Sequence, residues 1–322
     1  MFVSVIVPTR NRPKDLRVAL TAITRQTHDS YEVIVIDDSH NSDVARENER
    51  TLREFGSKFR YMRTESLSDR GSGPALVRNI GLRHAGGALA AFCDDDDYWC
   101  DDRHLEIAVR TFAEQDTIDL VFANHEARHL GALMYTTCRS VMLGMMPAAP
   151  PRWDAFVALP KEDCLRDHFP HLNTWVLRRS LCERIGGFWE TIRYSEDLDF
   201  FLRAVDSSRG IGYRYATVAV HNVPDRSTVH TGNASTVVGE QEKHASLTRV
   251  AEHVLRTCQA PEVRKYAEMI GGNSYRWLAI NAQQRMRYTE AARYASRGLA
   301  LRPTWRWHIY TLYLQSLSCI SF

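Results

Sequence analysis

A run of four aspartates at residues 94–97 is the feature that most constrains how this chain folds. It follows the short apolar stretch Ala88–Phe92 and precedes Tyr98 and Trp99. A buried strand cannot hold four carboxylates, because desolvating each charge without a partner is too costly. The strand must therefore end near Cys93, and the acids must lie at its carboxyl edge.

The same four acids predict a cation site. Neighbouring carboxylates repel one another at close range, and a bound cation relieves that repulsion. Oxygen ligands at this density suit Mn²⁺ or Mg²⁺, and a site with few protein ligands leaves positions open for phosphates. For an aspartate run taken alone, a solvated turn that caps the next helix is an open alternative.

Composition sets broad limits on the function. The chain has 322 residues and a net charge of +2, so bulk charge indicates neither a nucleic acid nor an anionic membrane as partner. Its seven cysteines are odd in number and form no Cys-x-x-Cys pair, which is typical of free thiols in a reducing compartment. Without a recognisable signal peptide or spanning stretch, we expect a cytoplasmic protein; peripheral contact with the inner face of the membrane stays open.

Strands and helices alternate along the first third of the chain. The predicted order is strand Val3–Val7, helix Lys14–Gln26, strand Tyr31–Ile36, helix Val44–Phe55, strand Phe59–Met62, helix Pro74–Ala85, strand Ala88–Phe92 and helix Arg103–Gln115. This order predicts a doubly wound, Rossmann-like α/β domain with a mostly parallel sheet. Ligands bind such sheets at the carboxyl ends of the strands, where residues 9–11, 37–38 and 94–97 would meet.

Five segments together resemble the family-2 glycosyltransferases, which have the GT-A fold. The segments are Val5–Arg12, Glu32–Ser39, Ala75–Leu82, Phe92–Trp99, and Ile185–Phe188 followed by Ser195–Arg203. Each is weak alone, but all five stand in the order of the family. The resemblance implies an inverting transferase that uses a nucleotide sugar.

The resemblance also implies where the nucleotide would bind. The second aspartate of the pair Asp37 and Asp38 would contact the nucleoside, and Pro8, Thr9 and Arg10 would flank the same pocket. The alternative for Asp38 is a cap of the following helix.

Arg78 would hydrogen-bond the acids or the phosphates, and a structural ion pair is its alternative. Among the acids, Asp94 and Asp95 are assigned to the nucleotide, with Asp94 on the ribose or a metal-bound water. Asp96 is expected to bind the metal directly, although an Asp95-x-Asp97 register stays open. His230 would complete the metal site, with His221 as the competing choice.

Two further acids are the expected catalytic pair. Asp197 matches the catalytic aspartate of the family and would take the proton of the acceptor hydroxyl, and Glu196 is its neighbour. Acids that merely favour the first turn of a helix are the alternative. Trp175 and Trp99 are expected to contact the acceptor, because sugars stack on aromatic rings; ordinary core packing is their alternative.

We expect a GT-A domain over residues 1–238, with a nucleotide-sugar half (1–120) and an acceptor half (121–238). Residues 239–322 read as helices that include a tetratricopeptide-like hairpin. A single repeat cannot bury its own face, so it should dock on the catalytic domain or on a second chain. Its aromatic end could lie at a membrane interface; a helix packed on the body of the protein or in a homodimer is the alternative.

The sequence thus predicts a metal-dependent inverting glycosyltransferase with a UDP- or dTDP-sugar donor. The acceptor would be a glycan, a lipid-linked molecule or a small molecule, and nucleic acid is not expected. A nucleotide-sugar-binding protein that has lost turnover is one alternative. A nucleotidyltransferase is another, but the first turn lacks the glycine-rich loop that such an enzyme needs.

Overall fold

The computed structural model describes residues 1–64, 71–136, 154–165, 170–224 and 238–320. In this part of the chain the strands are β1 (Val3–Thr9), β2 (Tyr31–Asp37), β3 (Phe59–Arg63), β4 (Leu89–Phe92), β5 (Tyr98–Trp99), β6 (Leu120–His129), β7 (Ala132–Thr136), β8 (Val157–Ala158), β9 (Val176–Arg178) and β10 (Ile211–Asn222). The helices are α1 (Pro13–Thr24), α2 (Ser42–Glu54), α3 (Pro74–His84), α4 (His104–Glu114), α5 (Lys161–Cys164), α6 (Arg179–Arg184), α7 (Glu196–Ser207), α8 (Glu240–Thr257), α9 (Pro261–Gln284), α10 (Tyr288–Leu301) and α11 (Trp305–Ile320).

One mixed sheet runs through the domain in the order β3-β2-β1-β4-β9-β6-β10-β5. Its first four strands are parallel, with Val5 of β1 paired to Val33 on one side and to Ala91 on the other. Side chains on both faces of β1 and β2 are buried, which explains their nearly continuous apolar sequences. The parallel register brings the carboxyl ends of β1, β2 and β4 to one edge.

The sequence prediction of an α/β domain with a parallel sheet is confirmed, and the predicted elements up to residue 115 match the structure within a few residues at their ends. The alternation of strands and helices in the sequence did not predict strand β9. It runs antiparallel to both β4 and β6, and so joins the parallel half to the second half of the sheet. A strand of three residues carries too little periodicity to be recognised in sequence.

Helix α8 and the first half of α9 dock on the α/β domain, whereas the predicted hairpin, residues 281–303, packs against helix α11. Val250 and Val254 of α8 and Val263 of α9 are buried in the same apolar core as Leu202 and Val205 of α7. Helices α10 and α11 add a smaller core of their own, in which Ala295 and Leu314 are fully buried. Within the described residues, no helix is both long and apolar enough to cross a bilayer.

Helix α3 lies unusually close to the sheet at Gly81. A Cβ added there would lie 2.5 Å from Cγ2 of Ile6 and 2.8 Å from Cδ1 of Ile36, both fully buried. The missing side chain therefore sets the distance between α3 and the strands whose ends form the site.

We expect Gly81→Ala to destabilise the protein by about 1–3 kcal/mol, because the added methyl overpacks a rigid core. Urea unfolding followed by circular dichroism measures the change. Gly239→Ala is the matched control, since a Cβ there meets nothing within 4 Å. Equal stability of the two variants would contradict this account of the packing.

Candidate active site

The four aspartates alternate between two environments. The side chains of Asp94 and Asp96 are 21% and 24% exposed, whereas those of Asp95 and Asp97 are 7% and 1% exposed. The chain turns here, because the backbone N–H of Asp97 donates to the carbonyl of Asp94 at 3.2 Å, and side-chain exposure alternates along this turn. One pair opens toward solvent, and the other points into the protein.

The inward-facing Asp95 is fixed by the turn after β1. Its Oδ2 accepts hydrogen bonds from Thr9 Oγ1 (2.8 Å) and from the backbone N–H of Arg10 (3.2 Å). The guanidinium of Arg12 lies between two acids, with Nη1 at 3.1 Å from Asp95 Oδ1 and 2.8 Å from Asp96 Oδ2. Burial raises the pKa of Asp95 to about 7, against the opposing effect of Arg12. The carboxylate of Asp95 is therefore hydrogen-bonded within the protein and does not face solvent.

The inward-facing Asp97 lies in a group of histidines. His221 Nδ1 and His171 Nε2 are 3.1 and 3.7 Å from Asp97 Oδ2, and potential ligand atoms of all three residues lie within 4.8 Å of one another. Burial raises the pKa of Asp97 to about 7, although the hydrogen bond from His221 acts in the opposite direction. Burial, together with the charge of His221, keeps the pKa of His171 well below its usual range. Two imidazoles and a carboxylate are a donor set that transition metals accept.

Asn173 ties the acidic run to the core. Its Nδ2 donates to Asp97 Oδ2 (2.6 Å), its Oδ1 accepts from the backbone N–H of Asp94 (2.9 Å), and its carbonyl accepts from the indole of Trp99 (2.7 Å). Our sequence reasoning missed both Asn173 and His171. The sequence pattern that could have identified them is the one that located the other site residues, namely polar residues next to a buried apolar stretch. Here that stretch is Trp175–Leu177.

Arg78 links the acidic run to the expected catalytic acids. The side chain is 7% exposed, with Nη2 at 2.7 Å from Asp94 Oδ1 and Nη1 at 2.7 Å from Glu196 Oε1. Burial and the charge of Asp197 raise the pKa of Glu196 to about 7, although Arg78 lowers it. Glu196 is buried against Arg78, whereas Asp197 is half-buried and its Oδ1 accepts from the backbone N–H of Leu198 (2.8 Å).

The two aspartates at the end of β2 have different hydrogen-bond partners. Both oxygens of Asp37 are used inside the protein, by the Ser39 N–H and by Asn48 and Tyr61. Asp38 lies at the edge of the site, where its Oδ1 accepts from Thr64 (2.5 Å) and its Oδ2 from the backbone N–H of Ser72 (2.7 Å). Asp37 is therefore bonded within the core, whereas Asp38, which is also buried and bonded at both oxygens, lies at Gly71 beside Arg10. 

The expected acceptor contacts of Trp99 and Trp175 are wrong. Both side chains are fully buried, and their indole N–H groups donate to backbone carbonyls of Asn173 and Pro170. Trp175 packs against Phe201 with ring centroids 5.1 Å apart. A ring without an exposed face cannot stack on a sugar, so both tryptophans serve the core. His230 lies outside the described residues.

The site unites six carboxylates (Asp94, Asp95, Asp96, Asp97, Glu196 and Asp197) around the guanidiniums of Arg12 and Arg78. Burial raises the pKa of Asp96 and of Asp197 as well, so the charged forms of these acids are costly where they lie. Such an excess of negative charge fits a divalent cation, and so does the pair of open carboxylates on Asp94 and Asp96.

Comparison with known proteins identifies the family. The family model described as glycosyl transferase family 2 matches residues 4–186, and the chain belongs to that family. An uncharacterised glycosyltransferase of Haemophilus influenzae is 22% identical over 258 residues, covering 80% of this chain and 79% of that protein. The glycosyltransferase AglE of Haloferax volcanii is 26% identical over 226 residues, covering 68% of this chain and 66% of that protein. Matches to Rickettsia glycosyltransferases cover only about a fifth of those longer proteins.

Solved structures show the same fold. The structure of S. aureus TarS 1-349 in complex with UDP-GlcNAc superposes with a TM-score of 0.67 at 18% identity, covering 94% of this chain and 82% of that one. The mannosyltransferase PcManGT of Pyrobaculum calidifontis, in complex with GDP-Man and Mn²⁺, gives a TM-score of 0.58 at 20% identity and covers 98% of this chain and 84% of that one. The chain spans 53% of a longer TarS structure. The protein is therefore a glycosyltransferase with the GT-A fold.

Gly71 sets the space beside Asp38. Its φ is +67°, and a Cβ would lie 2.3 Å from Asp38 Oδ2. We expect Gly71→Ala to displace Asp38 and to weaken UDP binding about tenfold, which calorimetry measures. Gly56→Ala is the matched control, because Gly56 also has a positive φ (+85°) but nothing within 4 Å of its Cβ. Unchanged affinity in Gly71→Ala would remove Asp38 from the nucleotide site.

Proposed function

We propose that this protein is a metal-dependent, inverting glycosyltransferase. It would transfer a sugar from a UDP-sugar or dTDP-sugar to an acceptor hydroxyl, with Asp197 as general base. The observation that carries the proposal is that Arg78 joins Asp94 of the acidic run to Glu196, the neighbour of Asp197. One side of this arrangement offers the partly exposed carboxylates of Asp94 and Asp96 to a cation and a diphosphate, and the other offers the half-buried carboxylate of Asp197 to an acceptor.

The metal would be held through Asp96, with Asp94 beside it. The alternation of exposure supports this register over Asp95-x-Asp97, because Asp95 is occupied by the turn after β1. A bound cation supplies charge stabilisation for the departing nucleoside diphosphate. The group Asp97–His171–His221 is the competing ligand set, and it favours a transition metal over Mg²⁺.

The two candidate bases differ in availability. Glu196 is paired with Arg78, and therefore orients that guanidinium between the two halves of the site. Arg78 forms its ion pair with Glu196, whereas the hydrogen bonds described for Asp197 come from backbone N–H groups, so Asp197 is the acid better able to receive a proton. Among the described residues no second carboxylate is arranged as a covalent nucleophile opposite it, so we infer a single displacement with inversion.

A uridine nucleotide is the donor class we favour. TarS is described in complex with UDP-GlcNAc, and the WfgD protein of Escherichia coli, named as a UDP-Glc-dependent β-1,3-glucosyltransferase, is 28% identical over 125 residues. PcManGT is described with GDP-Man, so a guanosine donor is the alternative outcome of a screen.

The first test is a donor screen. Purified protein with Mn²⁺ is incubated with a panel of nucleotide sugars, and released nucleoside diphosphate is measured. Asp197→Asn should lower the release at least ~100-fold, as expected for loss of a general base. Asp29→Asn, whose side chain is 98% exposed, is the control and should match the wild type. Failure of the wild-type protein to bind any nucleotide sugar would refute the proposal.

Metal dependence has a separate readout. Chelation should abolish release, and Mn²⁺ should restore it. Titration of free Mn²⁺, followed by its paramagnetic resonance signal, should show a site that Asp96→Ala weakens at least ~10-fold. Loss of Mn²⁺ binding in His171→Ala and His221→Ala, but not in Asp96→Ala, would instead assign the metal to the histidine group.

The pH dependence follows from the base. Burial raises the pKa of Asp197 above its ordinary value of 3.8, partly offset by Arg78. A base acts only when ionised, so kcat should be lost as pH falls through this raised pKa, at a higher pH than an exposed aspartate would give. Donor affinity measured over the same range separates binding from chemistry. A rate that stays constant down to the ordinary aspartate pKa would exclude Asp197 as the base.

A further inference from the structure

The backbone that leads into helix α7 is strained beside the expected base. Ser195, directly before Glu196, has a φ of 61°, in the left-handed region. For a residue other than glycine this conformation costs on the order of 1–3 kcal/mol and persists only when the surrounding structure enforces it. The Ser195 side chain makes no capping hydrogen bond that would do so. The restraint must come from elements packed around the junction.

Helix α8 contacts the junction on its N-terminal side. Ser246 Oγ donates a hydrogen bond of 2.5 Å to the carbonyl of Tyr194, the residue before Ser195. Lys243, one turn earlier on α8, lies with its Nζ 5.9 Å from the centre of the Tyr194 ring. The carbonyl orientation of Tyr194 is therefore fixed from outside its own segment.

The same helix contacts the junction on its C-terminal side. Asp199 is fully buried, and its Oδ2 accepts from Arg203 Nε at 2.8 Å. Its Oδ1 lies 2.6 Å from Nδ1 of His253 on α8. An ionised carboxylate only accepts hydrogen bonds, so His253 is the donor. The ring of Trp189 stacks on His253 with centroids 4.1 Å apart, which fixes the imidazole orientation.

These contacts come from one face of α8. Ser246, Val250 and His253 follow each other at spacings of four and three residues, which places them on one side of a helix. Val250 is fully buried in the core that also contains Leu198. Arg249 lies on the exposed side of the same helix. One rigid element therefore holds the chain both before and after the two acids.

We propose that helix α8 positions the catalytic acids, and that His253 is a positioning residue for Asp197 through Asp199. The role assigned to Asp197 rests on the proposed function, whereas the mechanical link between α8 and residues 194–199 does not. The family match ends at residue 186, so the expected base and helix α8 both lie beyond it. The C-terminal helices are then part of the catalytic apparatus rather than an appended module.

The link itself is tested without turnover. Amide hydrogen exchange of the full-length protein is followed by mass spectrometry in His253→Ala, His253→Asn and Arg249→Ala. We expect exchange at least about tenfold faster in peptides covering residues 194–199 of His253→Ala, because a buried oxygen of Asp199 loses its partner. Asn, which keeps a donor near Nδ1, should restore most of the protection, and Arg249→Ala should match the wild type. Wild-type exchange in His253→Ala would overturn the proposal.

The catalytic consequence is tested with the donor found in the screen. His253→Ala and Ser246→Ala should each lower kcat about tenfold while the donor KM stays unchanged, and His253→Asn should recover most of the loss. The acid limb of the kcat–pH profile should also move, because the environment of Asp197 changes. A parallel fall in thermal stability and donor affinity, with an unmoved pH profile, would show a merely structural role. An inactive wild type with altered exchange in His253→Ala would refute the proposed function and leave the link standing.

Discussion

The need to compensate the negative charge of residues 94–97 is the constraint on which the rest of the structure depends. Four consecutive carboxylates at the end of β4 can exist in a folded protein only if neighbouring elements supply partners. The turn after β1 supplies Thr9 and Arg12, helix α3 supplies Arg78, and the segment before β9 supplies Asn173. The sheet makes these hydrogen bonds and ion pairs possible, because it brings the elements that carry the partners to one edge.

Much of this arrangement could be predicted from the sequence, because it depends on local patterns. Apolar runs that end in polar residues located the strands and their carboxyl ends, and therefore the meeting of Thr9, Asp38 and the acidic run. The position of the acidic run directly after β4 follows from the same pattern. The helical character of the C-terminal region also follows from local periodicity.

The remaining features depend on contacts between distant residues. Nothing local to Trp99 or Trp175 distinguishes a ring that stacks on a sugar from one that fills a core. Asp37 and Asp38 are adjacent and chemically identical, yet only the fold around Asn48 and Tyr61 gives Asp37 a structural role. His171 reaches Asp97 across 74 residues of chain, and His253 reaches Asp199 across 54. Neither pair joins two carboxyl ends of the parallel strands, so the pattern that located the acidic run could not predict these contacts.

The alternating exposure of the acidic run has a consequence for how this segment can change during evolution. Its four residues are identical, so residue type does not determine the role of each carboxylate. The position of each residue after β4 does. An insertion or deletion of a single residue within the run would leave its composition almost unaltered, yet it would move every later carboxylate away from the partners that it now contacts. The segment should therefore be sensitive to its length and comparatively indifferent to the side chains that its inward-facing positions carry, provided that those side chains still accept hydrogen bonds.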